Sequence, residues 1–354
     1  MTASAIDSET IEIREMHRFD QAALVAYMNE HVAGFTGSLE IKQFIGGQSN
    51  PTFMMHDGKR GYVMRKKPPG DLLPSAHQVD REYKVMKALA ATDVPVPEMH
   101  VLCEDESVIG TKFFIMEKVE GRVLRDPLLS ELANAGERRA YFKDFYRVMA
   151  TMHNVDIDAV GLGEFGRKGQ YIERQISRWS KQYVASQTED IPAMNRIMAW
   201  LPENVPADDS VSIVHGDYRA ENTITMADQP KIAAVLDWEL STIGHPLSDL
   251  AYCCVAYHGD VNSGGSSYFG NDLDALGIPN EEEVISQYCQ LTGRDGIDDW
   301  YFYIVFSLFR MAAIIQGVYK RGLDGNAASS RALEFGDICR DRAEAAWRMV
   351  ETNA

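Results

Sequence analysis

His215-Gly216-Asp217, then Asn222, then Val235-Leu236-Asp237-Trp238-Glu239 set two carboxylates and an amide close together in the chain. These side chains suit phosphoryl transfer with Mg²⁺. Asp217 can take a proton from an acceptor hydroxyl, while Asn222 and Asp237 offer hard oxygen donors to the metal. Asp and Asn in turns usually cap backbone groups. Three of them at this spacing, with His-Gly in front, point instead to a reaction centre.

The neighbouring residues can bring the three together. Val211 to Val214 reads as a short apolar strand ending at the His-Gly-Asp turn. Thr223 to Met226 and Lys231 to Leu236 read as two further strands, with Ala227-Asp228-Gln229-Pro230 as the turn between them. Folding at that turn places Asn222, just before one strand, beside Asp237, just after the other. Arg219 could steady a phosphoryl group or pair with Glu221 or Glu239.

Upstream elements supply the rest of a nucleotide site. Arg18 to Val32 has helical apolar spacing, and Leu39 to Phe44 alternates as a strand. That strand runs into Gly46-Gly47-Gln48-Ser49-Asn50 and a second strand, Thr52 to His56. A glycine pair between strands lets backbone N–H groups approach phosphate oxygens. In the strand Gly61 to Lys66, alternation puts Val63 and Arg65 on one face and Tyr62, Met64 and Lys66 on the other, so either cation could meet phosphates. Ser75-Ala76-His77-Gln78 reads as a capping box opening a helix to about Ala90, with Glu82 beside its apolar stripe of Val79, Tyr83, Met86 and Ala90. Phe113 to Gly121 reads as a strand running into a hinge. Gly161-Leu162-Gly163-Glu164-Phe165-Gly166 matches a dinucleotide fingerprint, but a helical pattern precedes it where that site needs a strand, so it reads as a loop.

The double motif resembles the aminoglycoside phosphotransferase and choline kinase family of small-molecule kinases. Gly244-His245-Pro246-Leu247-Ser248-Asp249-Leu250-Ala251 is similar to its Gly-x-Pro-x-x-Asp-Leu-Ala segment, whose Asp braces the catalytic loop. The resemblance runs from about residue 40 to 340. It implies an α+β, two-lobed protein-kinase-like fold: a small lobe of antiparallel sheet plus helix, and a large, mainly helical lobe with a catalytic β-hairpin. The lobes would be residues 1–118 and 119–354. It implies Asp217 as the catalytic residue and Asn222 and Asp237 as Mg²⁺ ligands. ATP would be held by Gly46, Gly47, Gln48, Ser49, Asn50, Arg65 and Glu82, with adenine at the hinge backbone from Glu117 to Val119. The family position of Arg65 is usually Lys, which leaves Arg65 and Lys66 both open as the phosphate cation.

The runs around Gly46, Arg65 and Leu72 resemble a branch that also occurs fused to acyl-CoA dehydrogenase domains. That association implies a hydroxylated small-molecule substrate, a hydroxyacyl-CoA. An aminoglycoside or choline-like acceptor is the alternative, and a nucleotide-binding pseudokinase the third reading.

Composition bounds these expectations. With 354 residues, 45% of them hydrophobic, the chain can bury a full core. A formal net charge of −17 argues against a nucleic-acid partner, which needs a basic face, and leaves room for a cationic substrate. Five cysteines without Cys-x-x-Cys spacing suggest buried free thiols and a cytoplasmic protein. The acidic, polar start is unlike a signal peptide. Trp300 to Tyr319, interrupted by Arg310 and Gln316, reads as a buried helix, so no membrane association is expected. A homodimer is left open.

Overall fold

The computed structural model describes residues 9–45, 50–68, 77–259, 267–326 and 332–353. The chain divides into two compact units: residues 1–123 with 222–241, and residues 124–221 with 242–354.

The first unit is built on a six-stranded antiparallel sheet in the order β1-β2-β3-β4-β6-β5. Its strands are β1 (Thr10–Ile11), β2 (Glu40–Phe44), β3 (Thr52–His56), β4 (Gly61–Lys66), β5 (Met99–Cys103) and β6 (Phe113–Glu117). Period-two alternation gives the sheet two apolar faces. Phe53, Met55, Tyr62, Met64, Phe113 and Ile115 pack with Leu24 and Met28 of helix α1 (Gln21–His31). That helix starts where the Asp20 side chain accepts the Ala23 N–H at 3.0 Å, a cap inside the longer helical span read from the sequence.

Helix α2 (Val79–Leu89) buries Val79, Glu82, Val85, Met86 and Leu89. Glu82 therefore lies within the buried stripe rather than at its edge. The Ser75-Ala76 part of the expected capping box lies outside the described residues, and Gln78 at the helix start makes no side-chain cap.

The first unit also holds the hairpin of β8 (Thr223–Thr225) and β9 (Ile232–Val235). Residue 122 bridges to it: Arg122 N–H donates to Thr225 O at 2.7 Å, and Thr225 N–H to Arg122 O at 2.8 Å. A Cβ on Gly121 would lie 2.3 Å from Ile224 Cγ2 and 2.4 Å from Thr225 O, so only glycine permits this approach.

The second unit is mainly helical. Its helices include α3 (Ala135–His153), α4 (Tyr171–Ser186), α5 (Pro192–Trp200), α6 (Leu247–Cys254), α7 (Leu273–Leu276), α8 (Glu281–Thr292), α9 (Trp300–Leu323) and α10 (Phe335–Asn353). Two short strands, β7 (Ser212–Val214) and β10 (Thr242–Gly244), pair antiparallel, with Val214 opposite Thr242. A Cβ on Gly244 would lie 2.7 Å from Val214 Cγ2 and 2.8 Å from Tyr171 Cε2, which fixes α4 close under this pair. Helix α9 is long and apolar enough to cross a membrane, yet 67% of its apolar window is buried inside the protein, and buried Arg310 and Gln316 interrupt it. It is the core helix that the sequence suggested. The described cysteines are all free thiols. Residues 161–166 form turns after α3 with no strand before them, which removes the dinucleotide reading.

Candidate active site

Strand alternation sends the two cations of β4 into different surroundings. Lys66 shares the face of Tyr62 and Met64, and its ammonium lies 5.9 Å over the Phe19 ring. Arg65 shares the opposite face with Val63, where α2 packs. Its Nη1 donates to Glu82 Oε1 at 2.6 Å and to Asp237 Oδ1 at 2.9 Å, and its Nη2 lies 3.7 Å from Glu239 Oε2. Three carboxylates thus surround one guanidinium whose side chain is 9% exposed. Burial works against the Arg65 charge, but Glu82, Asp237 and Glu239 outweigh it and hold the group protonated. Burial pushes the Glu82 carboxyl up to about 7, Asp237 and Glu239 add to this, and Arg65 opposes it.

The hairpin positions its donors by register. Thr223 pairs with Val235, and Leu236 N–H donates to Asn222 O at 2.8 Å. Asn222 and Asp237 therefore flank the open end of the hairpin. Asp237 has φ 63 and ψ 56, a left-handed conformation uncommon for a residue with a side chain and concentrated at functional sites. The turn that follows, Trp238–Leu240, is anchored by buried Trp238, whose indole N–H donates to Val235 O at 2.9 Å.

This cluster suits Mg²⁺ and a polyphosphate. An amide and a carboxylate offer hard oxygen donors, and the carboxylates outnumber the guanidinium three to one. Arg65 Nε and Glu82 Oε2 are buried without a hydrogen-bond partner among the described residues. Asn50 is fully buried. Its Nδ2 donates to Glu239 Oε2 at 3.3 Å, and its Oδ1 is also unpartnered. Gly46, Gly47, Gln48 and Ser49 lie outside the described residues.

The hinge segment leaves β6 at Glu117. The N–H groups of Glu117 and Lys118 donate to Glu98 O at 2.8 Å and Gly61 O at 3.2 Å. Val119 follows the strand, half-buried and outside the ladder.

In the second unit, β7 delivers His215-Gly216-Asp217. Fully buried Asp249 on α6 holds the turn: its Oδ2 accepts His215 N–H at 2.6 Å and its Oδ1 accepts Gly216 N–H at 2.9 Å. His153 Nε2 lies 3.4 Å from the same carboxylate. Burial would raise the Asp249 carboxyl, but His153, His215 and the backbone N–H outweigh it and hold it below its ordinary range. Gly216 carries the loop through φ +82. His215 is fully buried, and its Nδ1 accepts Asp217 N–H at 3.2 Å, a bracing part. Tyr218 anchors the loop's far side through its hydroxyl to Phe145 O at 2.9 Å.

Arg219 pairs with Glu221 rather than with Glu239, which belongs to Arg65. Sequence reasoning offered Glu239 only as a partner for Arg219. It also passed over Tyr252 and Arg310. Tyr252 lies in an apolar run, and a tyrosine three residues after Asp249, near the same helix face, was the available signal. Tyr252 donates to Asp217 Oδ1 at 2.8 Å.

An antiparallel sheet unit carrying a buried Arg–Glu pair, and a helical unit carrying an Asp-braced His-Gly-Asp turn, define a protein-kinase-like phosphotransferase. A sequence model described as the phosphotransferase enzyme family (APH) matches residues 40–283, and the chain belongs to this family.

Acyl-CoA dehydrogenase family member 10 of Mus musculus is 44% identical over 340 residues, which cover 96% of this chain and 32% of that protein. The chain thus spans about a third of that relative's length. A crystal structure from Ralstonia eutropha JMP134, provisionally named an aminoglycoside phosphotransferase, is 49% identical. It aligns with a TM-score of 0.87, covering 95% of this chain and 99% of that one. A thermostable mutant of an aminoglycoside phosphotransferase, crystallised with AMP-PNP and hygromycin B, shares the fold at 18% identity and a TM-score of 0.59. That match covers 92% of this chain and 98% of the other.

Proposed function

We propose that this phosphotransferase is an ATP- and Mg²⁺-dependent kinase that phosphorylates a hydroxyl group of a small molecule. The observation that carries the reading is Arg65, held between Glu82 and Asp237, at the hairpin end that also bears Asn222. Arg65, fixed by Glu82, binds the α/β-phosphates. Asn50 meets them too, and Gly46, Gly47, Gln48 and Ser49 are the further phosphate contacts that the family resemblance implies. The Glu117 carbonyl and the Val119 N–H meet the adenine edge, since the fold already uses the neighbouring N–H groups. Asn222 and Asp237 would hold Mg²⁺, which neutralises charge developing on the phosphates. Asp217 accepts the proton as the acceptor O–H bond breaks. The acceptor oxygen then bonds to the γ-phosphorus while the bond to the ADP oxygen breaks, and ADP leaves with that electron pair. The AMP-PNP found in the distant fold relative supports the choice of nucleotide.

For the acceptor, a hydroxyacyl-CoA is the leading reading. It draws support from the similarity to an acyl-CoA dehydrogenase family member over nearly the whole of this chain. An aminoglycoside is the second reading, favoured by the net charge of −17.

ATP and Mg²⁺ with separate panels of hydroxyacyl-CoAs, aminoglycosides and choline, read by mass for an added phosphate, test both. Phosphate on hydroxyacyl-CoAs alone supports the first reading. Phosphate on aminoglycosides alone replaces it with the second, and ATP binding with no turnover on any panel removes the kinase reading.

A further inference from the structure

The carboxylate of Asp217 is not left to orient itself. The Tyr252 hydroxyl, on α6, donates to Asp217 Oδ1 at 2.8 Å. Burial, and then the Asp217 charge, raise the Tyr252 phenol above its ordinary range, so it stays protonated and remains a donor. Arg310, from α9, is 6% exposed and its guanidinium lies 5.4 Å over the Tyr252 ring. It also lies 5.8 Å over the Trp179 ring of α4 and donates Nη2 to the Gly216 carbonyl. These partners are two rings and a carbonyl, none of them a carboxylate. A buried charge held this way is costly where only packing is needed, since an apolar side chain of similar size fills space more cheaply. The same guanidinium touches the residue before Asp217 and the ring whose hydroxyl holds Asp217.

We propose that Tyr252 is a positioning residue for Asp217, and that Arg310 locks Tyr252 and Gly216 together. The Oδ1 hydrogen bond thereby fixes the plane of the carboxylate that meets the acceptor hydroxyl. A free carboxylate offers two equivalent oxygens and several rotations, whereas one anchored by a phenol offers a single face. The inference rests on Asp217 being the proton acceptor in the reaction proposed above.

Tyr252→Phe keeps the ring and its contact with Arg310 and removes only the hydroxyl. With MgATP and a hydroxyacyl-CoA, and with ADP release to water measured in parallel, kcat should fall about 10- to 100-fold. The KM for ATP and the affinity for a fluorescent ATP analogue should not change, while the melting temperature should fall by a few degrees with the lost hydrogen bond. Arg310→Lys keeps the charge but loses the planar fork, so it should lower kcat as well. The double variant should be no worse than the poorer single one, because both act on the same carboxylate. A crystal structure of Tyr252→Phe should show the Asp217 side chain rotated or in two conformers.

Wild-type kcat in Tyr252→Phe overturns the proposal, as does a loss of kcat matched by an equal loss of nucleotide affinity. Failure of the kinase reading is distinguishable, because it appears in the unmutated protein as nucleotide binding without turnover, and it takes the positioning role with it.

Discussion

Arg65 Nη1 lies 2.9 Å from Asp237 Oδ1, joining the third-from-edge strand β4 to the open end of the hairpin that carries Asn222. The same nitrogen reaches Glu82 on α2, so one guanidinium ties strand, helix and hairpin within the first unit. Arg65→Met should cost about 1–3 kcal/mol of stability, because buried Glu82 loses its partner and its carboxyl, already raised to about 7, takes up a proton instead. Most of that loss comes from Glu82, whose side chain is 1% exposed, since Asp237 is 37% exposed and open to screening by water. Arg65→Lys should lose less. Denaturant unfolding of the variants checks this, and midpoints equal to wild type would contradict it.

The proton acceptor and the metal ligand should separate in their effects. Asp217→Asn should lower kcat by about 10²–10⁴. It should keep the rise in melting temperature that Mg²⁺ with an ATP analogue produces. Asp237→Ala should abolish that rise, because ligand stabilisation follows affinity for the folded state. Thermal melts with and without Mg²⁺ and nucleotide, set beside turnover, make the distinction. Both variants turning over at the wild-type rate would show that neither residue has its proposed role.

The fold and the hairpin were legible because their signals are periodic or local. Alternation placed Arg65 and Lys66 on opposite faces of β4, and turn chemistry at Asp228 to Pro230 set the hairpin. Which face α2 covers is a tertiary fact, so the different surroundings of Arg65 and Lys66 were beyond the sequence. Two buried features were hidden for a related reason. Glu82 sits in the apolar stripe because Arg65 meets it there, and hydrophobicity alone cannot foresee a paired carboxylate. The Tyr252 hydroxyl bonds a residue 35 positions away, beyond any local pattern. Strands β1 and β10 are so short that their pairing partners, rather than their own residues, define them.

Asp249 makes a pH-dependent contribution of defined sign. Its carboxyl in the folded protein is held below the ordinary aspartate value of about 3.9. The bracing of His215 and Gly216 is therefore fully present above that value and is lost as pH falls through the lower folded value. Asp249→Asn should cost about 1.5–3 kcal/mol at neutral pH, the worth of hydrogen bonds to a charged group. The difference from wild type should narrow below about pH 4. Denaturant midpoints measured across this range report it, and a gap that stays constant down to strong acid would exclude the ionised carboxylate as its source.

Gly121 offers a test of the hairpin's seat that leaves every polar group of the site intact. Its missing Cβ admits Ile224 Cγ2 and Thr225 O to within 2.3 and 2.4 Å of where that carbon would stand. The side-chain methyl could turn away, but the carbonyl is backbone and accepts the Arg122 N–H at 2.7 Å. Gly121→Ala must therefore push residue 225 outward or give up that hydrogen bond, at about 1–3 kcal/mol for overpacking. The displacement enters the hairpin that ends in Asn222 and Asp237, so the affinity for Mg²⁺ and nucleotide should weaken along with stability. A glycine kept merely as a flexible link would behave otherwise: alanine there would leave stability and nucleotide affinity unchanged. Titration of Gly121→Ala with Mg²⁺ and an ATP analogue, beside its unfolding midpoint, separates a seat from a link.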